Sequence, residues 1–156
     1  MLLDAGALTA MRGRGPLLCR QDQPVVMTPH HGELVALTGL DKDKVANGPA
    51  AAALDVAAAS VATVALKSSE TLIADGKGTL LSYNGGAPSL GTAGSGDELA
   101  GVIGGLLARG VDPLVATAWG VWLHGEAGKR LAERIGPLGF LGRELAAEVP
   151  GLMASV

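Results

Sequence analysis

Val61-Ala62-Thr63-Val64-Ala65-Leu66 runs without a charge and then meets Lys67-Ser68-Ser69. An uncharged run rich in β-branched residues reads as a strand buried on both faces, the kind found in parallel sheets. Upstream, Gly48-Pro49 opens an Ala-rich segment, Pro49–Ser60, that reads as a helix with Pro in its first turn. Downstream, Glu70–Ala74 and Thr79–Tyr83 flank Asp75-Gly76-Lys77-Gly78, which predicts a β-hairpin near residues 70–83. Further upstream, Val25-Val26-Met27 stops at Thr28-Pro29 as a buried strand would. His31–Leu40 follows with Leu34, Val35, Leu37 and Leu40 at helical spacing. Thr9–Gln23 is polar and is expected to hold a short helix and a loop. Past the hairpin, Asn84–Gly96 is a Gly-rich loop, and Asp97–Arg109, Pro113–Arg134 and Leu138–Val149 read as helices. Helix alternating with buried strand is the pattern of a layered α/β domain.

Length and composition bound the reading. A chain of 156 residues is one domain or part of one. It is 48% hydrophobic and 17% charged, which excludes a disordered chain. A net charge of −3 leaves no basic footprint for nucleic acid, so no nucleic-acid partner is expected. The single cysteine, Cys19, excludes a disulfide scaffold and a multi-cysteine zinc site. Every apolar run falls short of the roughly 18 residues a spanning helix needs, and Met1–Arg14 does not read as a leader. No membrane partner is expected, and the cytoplasm is the expected compartment. The 24 glycines carry no collagen period. Gly101, Gly104 and Gly105 lie in a helix beside the stripe Leu99, Val102, Ile103, Leu106, Leu107, which predicts close approach of another backbone there.

Ligands of layered α/β sheets sit at the carboxyl ends of strands and the amino ends of the following helices. Three segments fall there. Gly91-Thr92-Ala93-Gly94-Ser95-Gly96-Asp97 opens a helix. Its glycines let backbone N–H groups approach an anion, and a helix start favours negative charge. Asp97 at that place can accept a proton from a hydroxyl, or simply cap a helix after a flexible loop. Lys67-Ser68-Ser69-Glu70-Thr71 offers a cation and hydroxyls for phosphate, or a polar surface turn. Thr28-Pro29-His30-His31-Gly32-Glu33 pairs two histidines, but the third, His124, lies far along the chain and a zinc site needs three or four ligands. No metal ligands are assigned. The reading favoured instead is a histidine of this pair as a hydrogen-bond donor to a ligand, or Glu33 as a first-turn acid on the helix dipole. His124, Trp119 and Trp122 are read as packing residues, and Lys129, Arg130 and Arg134 as a solvated helix face.

These segments occur together and in order, with Asp4-Ala5-Gly6-Ala7-Leu8 before them and Gly120-Val121-Trp122-Leu123-His124-Gly125-Glu126-Ala127-Gly128 and Gly139-Phe140-Leu141 after them. In this the chain resembles the C-terminal part of the ADP/ATP-dependent NAD(P)H-hydrate dehydratases, carbohydrate-kinase-like domains of ribokinase-like fold. The resemblance covers Asp4 to about Leu152. It implies a three-layer α/β/α domain and a carbon–oxygen lyase of nicotinamide nucleotide repair. Such enzymes return the S epimer of NADH or NADPH hydrate to the reduced nucleotide at the expense of ADP or ATP. The resemblance places Lys67, Ser68, Ser69, Glu70 and Thr71 on the adenine nucleotide, together with Gly94, Ser95 and Gly96 of the anion hole. His30 and Asp97 would contact the hydrate, Asp97 as the base on its hydroxyl, and Mg2+ would bridge the phosphates. His31, Ser68, Glu70, Ala87 and Gly6 depart from the residues usual in the family.

The resembling domains are longer, so this chain is expected to be an N-terminally truncated, nucleotide-binding half (residues 1–156) that forms a homo-oligomer or pairs with a missing N-terminal half. Two other readings stand beside the dehydratase: a non-catalytic nucleotide-binding remnant or interaction module, and a hydroxymethyl kinase of the same fold.

Overall fold

The computed structural model describes residues 1–13 and 23–156. Cys19, with most of the loop expected within Thr9–Gln23, lies outside the described residues. A short helix does precede it, but at Ala5–Ala10.

Five strands lie side by side in chain order: β1 (Leu2–Leu3), β2 (Val25–Met27), β3 (Ala62–Leu66), β4 (Thr71–Ala74) and β5 (Leu80–Tyr83). β1, β2 and β3 are parallel, with Leu2 opposite Val26 and Val26 opposite Thr63. β4 runs antiparallel to β3, and β5 to β4. The expected hairpin is therefore the antiparallel margin of the sheet. Asp75 shapes its turn, since Oδ1 accepts from the N–H of Lys77 (2.9 Å) and of Thr79 (2.8 Å). Those bonds favour the carboxylate and hold Asp75 below the usual carboxylate range, Thr79 contributing most. Gly78 closes the turn at φ +91°, a conformation that favours glycine.

The helices are α1 (Ala5–Ala10), α2 (His31–Thr38), α3 (Lys42–Asn47), α4 (Pro49–Ser60), α5 (Ser95–Ala108), α6 (Pro113–Ile135) and α7 (Leu145–Met153). The strand residues sort by parity, as a pleated sheet requires. Val25, Met27, Val64, Leu66, Leu72 and Ala74 pack with Leu8, Leu34, Val45, Ala53 and Ala57 of α1–α4. Val26, Ala65 and Ile73 point the other way, to Leu99, Ile103 and Val121 of α5 and α6. This is the three-layer α/β/α arrangement. A third cluster, with Leu123, Leu131, Phe140 and Leu145, packs α7 on the far side of α6.

Several local expectations change. The buried strand starts at Ala62, because Val61 takes a left-handed conformation (φ 51°) to end α4 and is left exposed. α3 and β1 were hidden by brevity. The last helix begins at Leu145 rather than Leu138, which is 81% exposed. Trp119 is 41% exposed and meets partly buried Trp122 edge to face at 5.5 Å, so the pair is not wholly core. Among the described residues, and apart from the helix's own backbone, nothing approaches within 4 Å of where a Cβ would stand on Gly101, Gly104 or Gly105. The close approaches are on α6 instead: a Cβ on Gly120 would strike Ile103, on Gly125 the Tyr83 ring, and on Gly128 Leu90.

Candidate active site

The parallel strands deliver their carboxyl ends to one edge of the sheet. β1 is followed by Asp4, β2 by Thr28, Pro29 and His30, and β3 by Lys67. The Lys67 N–H donates to Pro29 O at 2.8 Å, which continues the ladder one step beyond the strands and ties the β2 and β3 exits together. The Lys67 ammonium then lies 2.8 Å from Asp4 Oδ1 and 4.0 Å from Glu33 Oε2. Glu33 itself is fixed by a reciprocal cap at the start of α2. Its Oε2 accepts from the His30 N–H at 2.8 Å, and its own N–H donates to His30 Nδ1 at 3.2 Å.

The amino end of α5 faces this cluster. Gly94 turns the chain at φ +85°, and no side chain caps the first turn. A helix start leaves its leading N–H groups without helical partners; that of Ser95 donates to the Thr92 carbonyl at 3.3 Å, and those of Gly96 and Asp97 are left to face an anion. A Cβ on Gly96 would stand 3.5 Å from Lys67 Nζ and 3.7 Å from Asp4 Oδ2, so the start of α5 lies in contact range of the ion pair. Gly142 supports the loop from behind: its Cα lies so close to Ala93–Ser95 that a Cβ would fall 2.8 Å from the Ser95 nitrogen.

Ser95 is 2% exposed, and its Oγ lies 2.8 Å from Nε2 of His124, which also lies 3.0 Å from the Ser95 carbonyl oxygen. Burial pushes the His124 pKa down; the Ser95 backbone bond opposes this, and the Lys67 charge adds to it. Across the cavity, Tyr83 donates its hydroxyl to Glu126 Oε1 (2.8 Å), which also accepts from Lys129 (2.5 Å). Burial foremost, and then the Glu126 bond, push the Tyr83 hydroxyl well above its ordinary range. Burial also pushes the Glu126 carboxyl up, but the Lys129 and Tyr83 bonds outweigh it and leave the pKa lowered. Lys129 Nζ lies 5.8 Å from the Tyr83 ring centroid.

Between these groups opens a cavity of about 930 Å³. His30, Lys67, Ser68, Ser69, Thr71, Ser95 and Gly96 are on its wall; Glu70, Gly94 and Asp97 are not. Asp97 sits in the first turn of α5, exposed, and its side chain makes no hydrogen bond or ion pair among the described residues. Ser68 Oγ donates to Glu70 O at 2.6 Å and shapes the local turn. Two readings from the sequence change here. His124 is bonded to Ser95 of the Gly91–Asp97 loop as well as packed. Lys129 lines the cavity, and Arg134 is bonded to Glu148 (2.7 Å), so the basic residues of α6 are not merely a solvated face. Tyr83, Glu126 and Gly142 carried no signal as isolated residues, because only the fold brings them to the site.

Residues 1–150 match the family described as NAD(P)H-hydrate dehydratase. Over 153 residues the chain is 49% identical to an ADP-dependent (S)-NAD(P)H-hydrate dehydratase of Xanthomonas campestris pv. campestris, covering 98% of this chain and 51% of the relative. A Neisseria meningitidis protein of the same description is 37% identical over 149 residues, covering 94% of this chain and 50% of the relative. Among solved structures, the Bacillus subtilis ADP/ATP-dependent NAD(P)H-hydrate dehydratase co-crystallized with ATP/Mg2+ superposes with a TM-score of 0.83 at 29% identity, covering 99% of this chain and 54% of that one. The chain thus spans about half the length of the curated relatives it matches. With 150 of its 156 residues matched and its three layers shared with the solved relative, the chain belongs to the NAD(P)H-hydrate dehydratase family.

Proposed function

We propose that this chain binds ADP or ATP at the amino end of α5 and takes part in the dehydration of the S epimer of NAD(P)H hydrate. The observation that carries the reading is the meeting of Lys67 Nζ with the uncapped start of α5, 3.5 Å from the Cβ position of Gly96. A cation beside open backbone N–H groups is what a polyphosphate needs, and phosphoryl transfer depends on positioning and electrostatic stabilisation. A cavity of about 930 Å³ is large enough for a nucleotide.

In this reading Lys67, Ser95 and Gly96 hold the phosphates, with Gly94 providing the turn. Ser68, Ser69, Glu70 and Thr71 supply the strand-end side of the nucleotide site, and His30 orients the hydrate. The bound nucleotide supplies the phosphoryl group. As the Asp97 carboxylate takes the proton from the hydrate hydroxyl, the hydroxyl oxygen takes the phosphoryl group and AMP or ADP leaves; elimination of phosphate together with a proton from the adjacent ring carbon then restores the reduced ring. No group of three His, Cys, Asp or Glu able to hold a metal occurs among the described residues. Mg2+ in this site would therefore depend on the phosphates for most of its ligands.

Asp97 decides between this and a second reading. Its place outside the cavity wall favours nucleotide binding without turnover. The test is ADP-dependent production of NADH from (S)-NADH hydrate by the 156-residue chain and its Asp97→Asn variant. Turnover that falls by about 10²–10⁴-fold in Asp97→Asn, with ADP binding kept, supports the dehydratase. Turnover unchanged by the substitution removes Asp97 as the base. ADP binding with no turnover in either protein selects the second reading.

Association belongs to the same proposal. β1 is an edge strand, paired on one side by β2, and an open strand edge readily recruits another chain. Sedimentation showing only monomer across a wide concentration range would remove it.

A further inference from the structure

His124 stands on α6, away from every segment assigned so far to ligand, yet its Nε2 reaches two atoms of Ser95. One is the carbonyl oxygen at 3.0 Å, the other Oγ at 2.8 Å. A carbonyl oxygen can only accept. The 3.0 Å contact is therefore a hydrogen bond only if Nε2 carries the hydrogen. A bare Nε2 could accept from the Ser95 hydroxyl but would set its lone pair against the carbonyl oxygen 3.0 Å away. With Nε2–H as the donor, Ser95 Oγ can accept from it but cannot donate to it. The hydroxyl hydrogen of Ser95 must then turn elsewhere, and Ser95 lines the cavity with Gly96 and Lys67.

We propose that His124 is a positioning residue, in the Nε2–H form, that frees the Ser95 hydroxyl to donate to a phosphoryl oxygen of the nucleotide. This rests on the nucleotide reading above. It adds a donor at the base of the anion site that backbone geometry alone does not supply. It also ties the loop to α6, so the first residue of α5 is held from the opposite helix rather than by a side-chain cap. The site thereby keeps the Gly96 and Asp97 N–H groups open and still has a fixed start. The depressed pKa of His124 agrees with a neutral ring beside the Lys67 cation.

Two measurements on the full chain test the assignment. The first is a long-range 15N–1H spectrum, with the His124 signals identified from the His124→Gln protein; the expected tautomer carries its hydrogen on Nε2. The second is ADP binding by calorimetry for wild type, His124→Leu, His124→Gln, Ser95→Ala and the Ser95→Ala/His124→Leu double variant. Loss of a hydrogen bond to a charged group predicts roughly ten-fold or greater weakening in His124→Leu and in Ser95→Ala. His124→Gln retains an N–H donor and is expected to recover most of the affinity. The double variant is expected to lose little beyond either single one, since both remove one interaction.

A hydrogen on Nδ1 overturns the proposal, as does ADP binding that is the same in His124→Leu, Ser95→Ala and wild type. If His124→Leu does not fold, Ser95→Ala and His124→Gln decide by the same criteria. Wild type that does not bind ADP overturns the nucleotide reading and this assignment with it, whereas binding indifferent to Ser95 and His124 overturns this assignment alone.

Discussion

Lys67 and Asp4 meet at 2.8 Å across the end of β2, each standing just beyond its own strand on the two sides of that strand. The ion pair reaches across three parallel strands at the side of the sheet where β1, β2 and β3 end. Both side chains are mostly buried, at 22% and 11% exposure. Such a pair lies between the exposed class, worth at most about 1 kcal/mol, and the buried class, where loss of one partner costs about 3–5 kcal/mol. Asp4→Asn is therefore expected to lower stability by about 1–2 kcal/mol, read from urea unfolding. Lys67→Met is expected to weaken ADP by roughly ten-fold or more, since it removes a charge-assisted bond to phosphate. Equal ADP affinity in Lys67→Met and wild type would take Lys67 out of the nucleotide site.

The glycines of α5 and α6 have opposite roles although they look alike in sequence. Gly105 is exposed and faces open space, so Gly105→Ala is expected to stabilise by about 0.5–1 kcal/mol through helix propensity. Gly120 is buried with Ile103 against it, so Gly120→Ala is expected to cost about 1–3 kcal/mol by overpacking. Thermal denaturation of the two variants checks both signs, and a stabilising Gly120→Ala would mean that Ile103 repacks freely.

The same pair of helices shows where the sequence was readable and where it was not. Pro49–Ser60 begins and ends in the structure where Pro at the first turn and the uncharged run after it place it. β2 and the hairpin were readable for similar reasons: an apolar run bounded by Thr-Pro, and a Gly-containing turn between two β-rich segments. Each of these signals lies within a few residues of what it determines. Which glycine meets a neighbour depends on helix rotation and on the partner helix, and neither is local. That Lys67 and the Gly91–Asp97 loop lie near one another was legible because strand ends and the following helix starts gather at one edge of a layered sheet. The Tyr83–Glu126–Lys129 and Ser95–His124 contacts join residues 43 and 29 positions apart, and nothing in either segment alone specifies them.

Tyr83 is the only tyrosine of the chain, so its phenolate can be titrated without ambiguity. Burial and the bond to Glu126 both disfavour the ionised ring, and the expected midpoint lies well above the ordinary value of about 10. Ultraviolet absorbance of the folded protein reads it. Glu126→Gln is expected to bring the midpoint down toward that ordinary value, because it removes the negative charge while leaving an acceptor; burial keeps part of the shift. A midpoint near 10 in wild type would mean that the Tyr83–Glu126 bond does not form in solution.

His124 gives the fold a dependence on acid that can be worked out in sign. Its folded pKa is lowered, by burial first and by the Lys67 charge besides, from an ordinary value of about 6.5. Above that value the ring is neutral in both states and contributes no slope. As pH falls below it, the unfolded chain takes up a proton that the folded chain still refuses, so the unfolded state binds more protons and stability falls. The fall continues to the lowered folded pKa and stops below it, where both states are protonated. His124→Gln cannot titrate, yet keeps an N–H for Ser95. Its unfolding free energy is therefore expected to lose less than that of wild type between about pH 6.5 and the folded pKa. The difference between the two curves isolates His124 from carboxylates that titrate at lower pH. Parallel curves through that window would show that His124 is as easily protonated in the folded protein as in the unfolded chain.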